Sequence, residues 1–178
     1  FCVATYVDRP GENREVDVSH RGGKPGFVRI GSDGSLTIPD FAGNLFFNTL
    51  GNILSNPKAG LVFTDFATGD VLQITGDADV IIDGPEIVAF QGAERLWRVF
   101  PRNVVLRKSA LPIRWRDQTD GVSPNSLLTG DWVSANRKIL AIQAKIIWQN
   151  LKITRIVKEN RIIKSFHLEP VNGAGTLP

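Results

Sequence analysis

The 178-residue chain has no methionine, a single cysteine and a single tyrosine. One cysteine, Cys2, excludes an internal disulfide framework and any cysteine-cluster metal centre, so a reducing compartment, most simply the cytoplasm, is expected. No apolar run is long enough to span a bilayer, and neither a signal-peptide pattern nor an N-x-S/T sequon occurs, so no membrane partner is expected. Without methionine, and opening at Phe1 inside the apolar run FCVATY, the sequence reads as a piece of something longer. Histidines number two and are far apart, and the alternating pair Asp77 and Asp79 has no third ligand at suitable spacing, so no metal is expected.

What is present suits one sizeable core: 42% hydrophobic residues and 22% charged. Charge is uneven. Residues 1–94 carry 6 Lys/Arg against 13 Asp/Glu, and residues 95–178 carry 15 against 5. The basic half lacks interleaved aromatics and reads as solvated faces, so nucleic acid is not an expected partner.

Apolar alternation on either side of turn residues predicts hairpins. Phe1–Tyr6 and Glu15–His20 flank DRPGEN, Phe27–Ile30 and Ser35–Ile38 flank GSDG, and Ala59–Phe66 and Val71–Ile82 flank ATGD. Helical spacing of Leu45, Phe46, Thr49, Leu50, Ile53 and Leu54 predicts a helix with Asn44 as N-cap and Pro57 as stop. A second helix is predicted over EIVAFQGAERLW and more strand over Val99–Trp115. A loop over Arg116–Gly130, a third helix from Asp131 to about Asn150 and β structure over Leu151–Pro170 follow. The fold class is therefore mainly β, a β-barrel with a few α-helices.

One strand pattern is interrupted. DVSHRGGKPGFVRI, Asp17 to Ile30, carries Gly22, Gly23 and Gly26 among His20, Arg21, Lys24 and Arg29 before alternation resumes. Glycines let backbone N–H groups approach a ligand and cations add charge-assisted donors, which suits an anion such as phosphate, while the plain alternative is a basic surface turn.

DVSHRGG, GFVRI, IPDFAGN, NILSNPKAGLVF and LQITGDADV, in this order, resemble the FMN-binding split-barrel proteins related to pyridoxamine 5′-phosphate oxidase. The resemblance covers residues 1 to about 130. It implies an antiparallel split barrel, a homodimer, and FMN held in clefts between subunits. It places Ser19, His20, Arg21 and Gly22 near the phosphate and ribityl chain, Ile38, Pro39 and Asp40 beside the isoalloxazine, Asn44 at the helix opening and Gln73 on a strand approaching flavin. No catalytic side chain follows from it, since the flavin supplies the redox chemistry. Leu45, Phe46 and Phe47 stand where relatives often carry Arg or Lys, and the elements that hold pyridoxamine phosphate have no match, so vitamin B6 oxidation is not implied.

IVKENRIIKSFHLEPVNGAG is similar to the opening strand of ferredoxin-reductase-type FAD domains, and split-barrel modules precede such domains. The expected organisation is an FMN-binding barrel over residues 1–150 and an extension over 151–178, with a fused or separate reductase domain, a nicotinamide or a small redox substrate as partners. On this reading KSFHLEP lacks sheet partners and pairs with a barrel edge or is poorly ordered. The plain alternative for it is an amphipathic strand with Phe166 and Leu168 inward and His167 outward. Cys2 reads as a small buried hydrophobe, and Trp115 as the tryptophan placed to reach a partner's flavin. The competing function is a non-catalytic dimerisation or ligand-binding barrel that has lost FMN.

Overall fold

The computed structural model describes residues 1–171 except 9, 12, 44–46, 117, 119, 120 and 144–150. The chain divides into two compact units, Phe1–Leu140 and Ala141–Pro178.

The first unit is built on one antiparallel sheet. Its strands are β1 (Cys2–Val7), β2 (Glu15–His20), β3 (Arg29–Ile30), β4 (Leu36–Phe41), β5 (Lys58–Thr64), β6 (Val71–Ile81) and β7 (Ala93–Arg107), in the order β2-β1-β5-β6-β7-β4-β3. Turn glycines with positive φ, Gly34 at 79° and Gly69 at 74°, reverse the chain where the sequence pattern placed the second and third hairpins. Although three strands separate β1 from β4 in the sheet, Val3 of β1 packs in the same buried cluster as Leu36 and Ile38 of β4, with Leu61, Ile74, Trp97 and Val99 between them. The sheet therefore curls around a single interior. The fold is a mainly β, antiparallel split barrel.

Helix α1 (Asn48–Ser55) lies over one opening of the interior and buries Thr49, Leu50 and Ile53 there. It starts later than its apolar spacing implied, with Phe47 before its first residue, and Leu54 is exposed instead of buried. Asn44, expected as N-cap, lies outside the described residues. Helices α2 (Pro85–Ala89), α3 (Pro124–Leu127) and α4 (Trp132–Gln143) follow, and residues 144–150 of the expected third helix lie outside the described residues.

The expected second helix is corrected in its second half. It ends at Ala89, Gly92 takes φ +82°, and AERLW begins the 15-residue strand β7. Leu96 faces a second cluster with Ala89, Phe90, Trp132 and Ala135, while its neighbours Trp97 and Val99 face the barrel interior. Burial on both faces removes the period-two alternation by which strands are recognised, and leaves an apolar spacing that imitates a helix. The strand stops at Arg107, so Trp115 stands in the loop beyond it, edge-on to Phe66 with ring centroids 5.1 Å apart. Cys2 is only half-buried.

The second unit, as described, is the hairpin β8 (Leu151–Lys158) and β9 (Lys164–Pro170), which forms its own two-stranded sheet. KSFHLEP is thus paired with the strand just before it. Phe166 and Leu168 are exposed, so the inward placement that the amphipathic-strand alternative required is not found.

Candidate functional site at the barrel seam

The interrupted stretch has a topological cause. Strand β2 lies at one edge of the sheet and β3 at the other, so residues 21–28 must carry the chain across the split of the barrel. Gly26 takes φ +85° in this crossing, and its carbonyl accepts from the Trp132 backbone N–H at 3.1 Å. The Trp132 indole donates to the Phe27 carbonyl at 2.9 Å, and the Lys24 N–H donates to Thr129 Oγ1 at 3.0 Å. The crossing is held by the start of α4 and the residues before it.

Across the same seam lies an ion triad. Asp40, on β4, is 4% exposed. Its Oδ1 accepts from Arg21 Nη1 at 3.1 Å, and its Oδ2 lies 3.3 Å from Arg95 Nε, close in charge but out of hydrogen-bond alignment. Arg21 follows β2 and faces the interior side, and Arg95 stands on β7 opposite Asp40. The pair Arg21–Asp40 therefore ties the two far parts of the open sheet together, alongside Phe1 stacked toward Phe27 at 6.0 Å. Burial pushes the Asp40 carboxyl above the usual range, against the pull of both guanidiniums. The Nε atoms of Arg21 and Arg95 are buried without a hydrogen-bond partner. Phe47 covers Arg95, its ring centroid 4.7 Å from the guanidinium carbon.

Beside this triad a cleft of about 550 Å³ is lined by Asp17, Val18, Ser19, His20, Arg21, Gly43 and Asn48. Ser19 Oγ donates to Asp17 at 3.1 Å and accepts from Thr49 of α1 at 3.0 Å, which fixes it on the inner side of β2. His20, the next residue, is exposed on the outer side, with Gly22 against its ring. Of the residues the resemblance placed at the site, Ser19, His20 and Arg21 line one cleft, and Gly22 adjoins them. Asp40 reaches it only through Arg21. Ile38 is fully buried in the barrel core and Pro39 is buried as well, so neither offers a surface to a ligand in this chain. Gln73 is exposed on β6, three strands away from β2. Asn44 lies outside the described residues.

Arg95 was not legible as part of this site. Its signal was its parity with Trp97 and Val99: a cation facing inward at the start of a core strand requires a buried partner. Among the described residues no group of three or more His, Cys, Asp or Glu side chains is placed to hold a metal ion, and no helix is long and apolar enough to cross a membrane.

No family model matches the chain, and no curated protein does. Among solved structures the chain is similar to two crystal structures of HupZ from Group A Streptococcus, one of them of a point variant. Both have a TM-score of 0.43, with 14% identity over 60% of this chain and 88% of that one for the variant, and 15% over 61% and 85% for the other. Likeness at this level lends nothing to the reading of the cleft.

Proposed function

We propose that the chain is an FMN-binding module of an oxidoreductase or electron-transfer protein. The observation that carries this reading is the polar cleft beside the seam, where the Arg21 guanidinium, held by Asp40, shares one wall with His20, Ser19 and Asn48. A phosphate placed in the cleft meets Arg21, already oriented by Asp40, as a charge-assisted donor. The two orphaned Nε atoms fit a polar ligand at the seam. When bound, FMN would supply hydride or single-electron transfer between a reduced nicotinamide or reductase domain and an acceptor. The protein side chains bind and orient it, and none is required as a nucleophile.

A specific observation favours the competing reading of a non-catalytic barrel. Phe47 covers Arg95, and Asp40 engages both arginines, so the cations are partly satisfied within the chain. The visible absorption spectrum of the purified protein, followed by identification of what denaturation releases, decides between them. Flavin absorption and released FMN are expected. A colourless protein that takes up no FMN on titration removes the flavin reading.

A further inference from the structure

The end of the barrel at which β5 turns into β6 carries apolar side chains that the described residues leave uncovered. Beyond Val99, β7 has β6 as its only strand neighbour, and Val104, Val105 and Leu106 follow one another there, all exposed. Successive strand residues point to opposite faces, so both faces are bare. The loop after β7 then folds back onto the 65–70 turn between β5 and β6. The Leu111 N–H donates to the Gly69 carbonyl at 3.0 Å, the Trp115 N–H to the Phe66 carbonyl at 3.1 Å and the Ser109 N–H to Asp70 at 2.8 Å. Loop and turn thus form one tip, on which Phe66, Ile113 and Trp115 are 57%, 59% and 47% exposed. Cations surround these side chains. Asp65 and Asp70 are engaged by the tip itself, the first by the Ala67 and Thr68 N–H groups and the second by Ser109 and Lys108. Arg107, Arg114 and Arg116 are exposed, and among the described residues no carboxylate pairs with them.

We propose that this tip docks the protein on the surface of a bilayer that contains anionic lipid, with Phe66, Ile113 and Trp115 entering the headgroup boundary and Arg107, Arg114 and Arg116 lying among the headgroups. Charge complementarity selects this occupant. Aromatic and aliphatic side chains gain by leaving water at that boundary, while the long arginine side chains keep their charge beside lipid phosphates and carboxylates. A second copy of the tip would instead set the same three arginines against one another. Nucleic-acid bases would stack on the two rings and leave Ile113 and Leu106 without a role. The lack of a long apolar run, from which no membrane partner was expected, excludes crossing a bilayer and does not bear on lying against one. The tip shares no residue with the cleft beside β2, so the docking is independent of the flavin reading.

Co-sedimentation of the full chain with mixed phosphatidylserine–phosphatidylcholine vesicles at physiological salt is expected to show binding, and vesicles of phosphatidylcholine alone much less. Phe66→Ser combined with Ile113→Ser is expected to weaken binding to the mixed vesicles about tenfold or more. Arg107→Gln combined with Arg116→Gln is expected to weaken it roughly twentyfold, at about fivefold per cation lost. All four side chains are exposed, and circular dichroism of each variant checks that the fold is kept. Tryptophan emission is expected to shift to shorter wavelength when mixed vesicles are added, and the shift to vanish in Trp115→Phe, since Trp97 and Trp132 are buried before any lipid is met. A protein that binds neither vesicle, binding indifferent to lipid charge, or binding that survives the Phe66 and Ile113 changes overturns the proposal. So does a protein that binds single-stranded DNA as strongly as the mixed vesicles and loses both through the arginine changes alone, because that is a site for polyanions without insertion.

Discussion

Two aspartates of the barrel each face two cations, and they titrate in opposite directions. Asp40 lies between Arg21 and Arg95 at the seam, where burial raises its carboxyl. Asp77 accepts from Arg102 Nε at 2.6 Å and lies 3.9 Å from Lys58 Nζ on the open sheet face, where its hydrogen bond to Arg102 lowers it. Glu94 beside Arg95 adds to the upward push at Asp40, but burial is the largest cause there and decides the direction. At the surface the cations assist an already hydrated carboxylate, whereas at the seam they replace water that has been removed.

The largest break in this comparison is expected from Asp40→Asn. Removing the shared anion leaves the largely buried Arg21 guanidinium without its partner and Arg95 with Glu94 alone, and breaking a buried pair costs about 3–5 kcal/mol. Denaturant unfolding of this variant should show a clearly lowered midpoint, and an unchanged midpoint would mean that the seam is not held by charge. Next in size is Gly76→Ala, beside Asp77. A Cβ there would lie 2.1 Å from the Phe100 carbonyl oxygen, and overpacking of this kind costs typically 1–3 kcal/mol. At the exposed end, then, backbone approach outweighs the ion pair, and the same unfolding measurement compares the two.

The pH dependence sharpens the contrast. A raised carboxyl favours the folded state below its titration, so the Asp40 contribution declines as pH rises from the ordinary aspartate range through the folded value. A lowered carboxyl acts with the other sign: the Asp77 contribution is present above the ordinary range and is lost as pH falls through the folded value. Carboxyl-carbon chemical shifts followed through acid titration should place Asp40 above and Asp77 below a free aspartate. The smallest effect is expected from Asp77→Asn, whose exposed pair is screened by water and salt, and whose unfolding midpoint should match the parent within error. A loss comparable to that of Asp40→Asn would end the distinction.

Legibility in the sequence followed the range of the interactions. Hairpins closed by Gly34 and Gly69 were readable, because turn chemistry and alternation are local. The pattern Thr49, Leu50, Ile53 disclosed α1 but not its start, since no side-chain cap marks Phe47. The second half of the supposed helix over EIVAFQGAERLW misled because Leu96 and Trp97 are each buried against a different layer, a fact of tertiary packing. Ser19, His20 and Arg21 were found as neighbours in sequence. Their tie to Asp40 and Arg95 depends on how the sheet closes, and no spacing along the chain encodes it.

Strand β7 has one more consequence. Sliding it by a single position would send Leu96 into the barrel and turn Trp97 toward α4, so neither layer tolerates the slip. The helical layer thus proofreads the barrel's strand alignment from outside, since only the correct alignment fills both interiors at once.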